Sequence, residues 1–90
     1  MDAGTIEALL RETGGRHHQA FISSNGVDPE WPLWYAGYLQ TRMWDELGRL
    51  PSRSELVHLL VECDRAYQAA DSPGEWPPFY AQRLLDALSA

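Results

Sequence analysis

The side chains of this sequence that could bind a metal or catalyse a reaction are His17, His18, His58, Cys63 and a scatter of carboxylates. His58 and Glu62 stand four residues apart and share one face of a helix, a spacing that zinc and iron sites use. No His-Glu-x-x-His motif and no third ligand accompanies them, so a partly exposed His58 and no metal centre are expected. His17 and His18 are adjacent, point about 100° apart on a helix and cannot share a ligand face. Cys63 is the single cysteine, which excludes an intrachain disulfide and a cysteine-based zinc cluster. Its place on an apolar stripe predicts a buried, inert thiol rather than a nucleophile. No Gly-x-Ser-x-Gly elbow, phosphate-binding loop or dinucleotide fingerprint occurs, and Ser23-Ser24-Asn25-Gly26 reads as a turn. Asp45-Glu46 and Glu62/Asp64 read as charged helix surface. The expectation is a protein that is not an enzyme and carries no cofactor.

Aromatic side chains are the other resource: 4 Trp, 4 Tyr and 2 Phe in 90 residues. Such a set either lines a ligand pocket or binding hot spot, or packs a core. Trp31, Tyr35, Trp76 and Tyr80 fall at matched positions of an internal repeat, which favours a shared packing role between the copies. Tyr38 and Trp44 face Arg83 and Ser89 in that register and have no aromatic counterpart. They are the leading candidates for exposed contact with a partner or ligand, with Trp34 and His18 beside them.

The repeat is explicit. Residues 30–39 read EWPLWYAGYL and residues 75–84 read EWPPFYAQRL. Glu30/Glu75, Trp31/Trp76, Pro32/Pro77, Tyr35/Tyr80, Ala36/Ala81 and Leu39/Leu84 are identical at an offset of 45, and Trp34/Phe79 are both aromatic. Upstream a weaker match continues at an offset of 49, pairing Leu10/Leu59, Arg16/Arg65, Gln19/Gln68 and Ala20/Ala69 as identities and Thr5/Ser54 as similar hydroxyls. The change of offset puts four extra residues into the first linker, around 22–28. Two copies of one helical hairpin follow, repeat 1 over about 5–48 and repeat 2 over about 53–89, in a single domain spanning 1–90.

These sites need helices to position them, and the composition supplies helix formers: 12 Leu and 10 Ala against 3 Val and 2 Ile. Ile6, Leu9, Leu10, Thr13, His17, Ala20 and Phe21 recur at three- and four-residue spacing, as do Leu56, Leu59, Leu60, Cys63, Tyr67 and Ala70. Ala36, Leu39, Met43, Leu47 and Leu50 mark the second helix, Leu84 and Leu88 the fourth. Ser52-Arg53-Ser54-Glu55 offers a capping box, with Gly48 and Pro51 ending the helix before it. Trp-Pro marks a helix start, with the last helix beginning near Pro78. Gly14-Gly15 should cost the first helix about 1 kcal/mol each relative to Ala. Either the helix stays unbroken, with Gly admitting a close Trp ring, or it kinks there. The expected fold is all-α, a four-helix bundle of two tandem hairpins, with helices over about 5–22, 32–48, 53–70 and 77–88.

The pattern of an apolar helix carrying His or Tyr near its end, a short loop, then [DE]-W-P-x-[WF]-Y-A-x-x-L resembles segments of small actinobacterial helical proteins and of helical tails beside glyoxalase/bleomycin-resistance-type domains. The matching residues are His17, His18, Glu30 to Ala36 and Leu39, then Tyr67, Glu75 to Ala81 and Leu84. The resemblance implies a helical architecture and a bacterial source. It brings no activity, and a glyoxalase-type domain is absent, so no metal ligands carry over.

A net charge of −6, with 7 Arg and no Lys, disfavours nucleic acid or an anionic membrane as partner. Each half of the chain carries −3, so there is no acidic tail. The longest apolar stretch, Leu56 to Val61, is broken by His58 and is too short to span a bilayer. The first residues lack the pattern of a signal peptide, so a cytoplasmic protein is expected. The preferred reading is a protein-interaction or accessory module, working through a protein partner or by self-association as a homodimer. The alternative is a small hydrophobic molecule held in a Trp- and Tyr-lined pocket between the hairpins.

Overall fold

Four amphipathic segments close into a bundle because each buries one leucine-rich stripe against two neighbours. The computed structural model describes residues 2–47 and 51–89, without the side chains of Glu46 and Leu47. Its helices are α1 (Ala3–Ala20), α2 (Trp31–Leu47), α3 (Arg53–Ala69) and α4 (Trp76–Leu88), with a 3-10 turn at Ile22–Ser24. The all-α four-helix bundle is therefore the fold. α1 packs most extensively on α4, and α2 on α3, so each first helix of a hairpin lies against the second helix of the other. Ile6, Leu10, Leu39, Met43, Leu56, Leu60, Leu84 and Leu88 are fully buried between them. Leu50 and the side chain of Leu47, both expected on the α2 stripe, lie outside the described residues, as does Gly48.

Burial corrects the register of the repeat. Ile6 matches Leu56, Leu10 matches Leu60, and Thr13 matches Cys63, all at an offset of 50 and all buried. The caps agree: Asp2 accepts the Thr5 amide and Ser52 accepts the Glu55 amide. The offset of 49 rested largely on Arg16/Arg65, Gln19/Gln68 and Ala20/Ala69, which are exposed, so packing places no constraint on them. One residue is 100° of rotation about a helix, enough to leave Leu59 only partly buried while Leu60 disappears inside. The first linker, residues 21–30, is four residues longer than the second, 70–75, as expected, because α1 runs one residue further than α3 and takes up the fifth residue of the shift.

Helix ends also differ from the sequence reading, for local reasons. α1 begins at Ala3 because the Asp2 carboxylate caps it, Oδ1 lying 2.8 Å from the Thr5 nitrogen. α4 begins at Trp76, before Pro78, because first-turn amides have no partner inside the helix and two prolines there forfeit no bond. α1 runs unbroken through Gly14-Gly15. A Cβ on Gly14 would lie 3.2 Å from Trp76 Cζ2 and 3.4 Å from the Tyr35 hydroxyl, so the missing side chain is what lets α4 and α2 come close. The turn read at 23–26 is present, with Asn25 and Gly26 both at positive φ.

Candidate functional site

The Trp-Pro motif sets the geometry of the site. It places Trp31 and Trp76 at the first residue of α2 and α4, with Tyr35 and Tyr80 one turn later. In each copy the Trp and Tyr rings meet nearly edge to face at 5.2 Å, at 81° for Trp31–Tyr35 and 72° for Trp76–Tyr80. The copies join where Tyr35 meets Trp76, 6.2 Å between ring centres. Tyr67 of α3 extends the row, 6.1 Å from Tyr80. These five rings, with Asp64 and Gln68, line an open cleft of about 230 Å³.

Its polar groups are organised. The Tyr80 hydroxyl donates to Asp64 Oδ1 at 3.2 Å, and Gln68 Nε2 donates to the same oxygen at 3.4 Å. Burial, reinforced by the charge of Asp64, pushes the Tyr80 phenol well above its usual range. It therefore keeps its proton and remains a donor. Burial alone raises Tyr35. Tyr67 donates to the Gly74 carbonyl at 2.6 Å and so ties the second linker to the cleft wall. Its match at an offset of 50, His17, does the same for the first linker through Asp28 Oδ2 at 3.0 Å.

Tyr35 and Trp76 are a partition. On their far side Arg11, Gly14, Gly15 and Pro77 complete a second hollow of about 350 Å³. Arg11 is engaged there with Glu7 and Glu75.

The residues expected to make contact lie elsewhere. Tyr38 is no free contact: its hydroxyl donates to Glu12, which also accepts from Arg42 Nε at 2.8 Å, and its ring stacks on Trp34 at 5.6 Å. It pins α2 to α1. Glu12 is held below the usual carboxylate range by those two hydrogen bonds, from Tyr38 first and Arg42 second. Trp34 is half-buried between Tyr38 and His17. His18 is exposed, its ring against Gly26. Trp44 is 57% exposed on α2. His58 is exposed and lines a shallow hollow with Leu33, Arg53, Ser54 and Val57. None of these residues lines the aromatic cleft.

None of the seven lining residues was an expected contact: Trp31, Tyr35, Trp76 and Tyr80 were expected to pack between the copies, and Asp64, Tyr67 and Gln68 were assigned to no site. The last three continue the core stripe of α3 beyond Leu60 at helical spacing, which is the signal that could have found them. Cys63 is 3% exposed, and desolvation pushes its thiol up to about 11. Among the described residues no group of three or more His, Cys, Asp and Glu side chains could hold a metal ion, and no helix is long and apolar enough to cross a membrane. No protein-family model, curated protein or solved structure matches this chain.

Proposed function

We propose that the protein is a non-enzymatic binding module whose site is the cleft between the hairpins. The observation that carries this reading is the row of five aromatic rings from α2, α3 and α4, Tyr80 buried and the other four partly buried, lining an open space with a carboxylate and an amide in its wall. Rings that served the core alone would meet other side chains on every side. Ligand pockets combine apolar walls with a few fixed polar groups, as this one does. At about 230 Å³ the cleft is smaller than the roughly 300–1,000 Å³ typical of drug-sized ligands, which suits a small molecule or the end group of a larger one. The reading places the protein in the cytoplasm, in keeping with its lone cysteine.

Titration with a panel of small hydrophobic compounds tests it, followed by tryptophan fluorescence. Saturable quenching that is lost in Trp31→Leu supports the cleft. Complete insensitivity across a diverse panel contradicts it.

A second reading, association with a protein partner or a second copy, is favoured by exposed Trp44 and Leu33 on α2. Sedimentation at rising concentration tests self-association. A dimer that dissociates in Trp44→Ala supports it, and a monomer at every concentration removes the homodimer.

A further inference from the structure

We infer that the aromatic cleft takes a cationic alkylammonium group, which the ring faces surround and Asp64 neutralises. This rests on the cleft being a binding site and names the class of its ligand.

Three features point the same way. First, successive rings along the wall stand at 81°, 62°, 72° and 71° to one another. No two adjacent rings here are parallel, so neighbours cannot sandwich a flat aromatic ligand. Rings turned steeply about a common space suit a rounded group with several faces, and a cation gains from each face through the ring quadrupole. Second, both recorded hydrogen bonds to Asp64 reach Oδ1, so among the described residues Oδ2 has no partner, and no arginine pairs with this carboxylate. A negative charge without a counter-ion in the wall of an aromatic cleft is what a cationic ligand would complete.

Third, the surrounding field is negative. Glu30 and Glu75 immediately precede the tryptophans that open α2 and α4, where they offset the positive ends of both helices. The chain as a whole carries −6. The hollow across the partition differs: the charged group in its wall is Arg11, already paired with Glu7 and Glu75, and among the described residues no carboxylate lines it.

The test compares choline with its neutral carbon isostere, 3,3-dimethylbutan-1-ol, by calorimetry on the native protein and on Asp64→Asn. Asparagine keeps an oxygen to accept from Tyr80 but removes the charge. Native protein should bind choline about tenfold or more tightly than the isostere, a gap of the size expected for a cation among aromatic faces beside a carboxylate. The variant should lose most of that gap, and the native preference should shrink as salt rises. Equal affinity for the two probes would overturn the cation while leaving the cleft as a binding site. Binding of a hydrophobic panel compound but of neither probe would do the same. No binding by any compound would remove the cleft reading itself. If Asp64→Asn does not fold, the native comparison of choline with its isostere decides alone.

Discussion

The two hairpins share a frame and differ where it matters. Position 14 of the first corresponds to position 64 of the second once the copies are aligned by burial. Gly14 has no side chain, and Trp76 and Tyr35 close onto it. Asp64 places a carboxylate in the cleft wall, hydrogen-bonded to Tyr80 and Gln68. The same Trp-Tyr pair therefore packs against bare backbone on one side and helps to line a cleft on the other. A further pair shows chemistry exchanged while geometry persists. Tyr38 stacks on Trp34 in α2, and at the matched place in α4 Arg83 lies 5.0 Å over the Phe79 ring. The two hairpins share a scaffold, and the proposed site lies where they differ at single positions.

The largest effects should come from breaking the register. Leu10 and Leu60 are both fully buried, and replacing either by Ala should cost about 2–5 kcal/mol. Leu59→Ala, at a partly buried position, should cost clearly less. Urea unfolding separates the cases. Leu59 and Leu10 behaving as the matched pair, with Leu60 tolerant, would restore the offset of 49.

The adjacent glycines sharpen the contrast further. Gly14→Val drives a branched side chain into Trp76 and should destabilise by about 1–3 kcal/mol. Gly15 has nothing within 4 Å of a new Cβ, so Gly15→Ala should gain up to about 1 kcal/mol from helix propensity. Thermal melts should move in opposite directions. The linker anchors come next: His17→Phe and Tyr67→Phe each remove one tie, to Asp28 and to Gly74, at about 1 kcal/mol apiece.

The smallest effects concern protons. The folded pKa of Glu12 lies below its unfolded value, so its stabilisation is complete above roughly pH 4.3 and fades as pH falls through the depressed folded value. Glu12→Gln should flatten that part of the stability profile, and an unchanged slope would mean that the Tyr38–Glu12–Arg42 link contributes nothing. Cys63, with its thiol pushed up to about 11, should react with alkylating reagents at pH 8 only after unfolding. Rapid labelling of native protein would contradict its burial.

Sequence carried the fold a long way. Leucine spacing and the duplicated Trp-Pro motif located all four helices, because a repeated motif is read twice and propensity agrees with pattern. Helix ends were less legible. The cap at Asp2 lies in a stretch with little hydrophobic pattern, and the prolines after Trp76 mask a start that depends on first-turn amides. The site was harder still. Trp31, Tyr35, Trp76 and Tyr80 do pack as their matched positions suggest, Tyr80 within the core and the other three against it, but matched residues meeting between two hairpins also line the cleft. Tyr38 stood out as unmatched, but an unmatched side chain is not a free one: its hydroxyl found Glu12 across the helix pair. Asp64 looked like ordinary charged surface, since spacing along α3 does not reveal which neighbouring rings it faces.

The central claim is that ligands enter between the hairpins rather than at the exposed Trp44. Indole N–H resonances report it directly, because each of the four tryptophans gives its own signal. On titration with choline and with the hydrophobic panel, Trp31 and Trp76 should shift together and saturably while Trp44 stays still. Movement of Trp44 alone, or of no indole with any compound, would contradict the account.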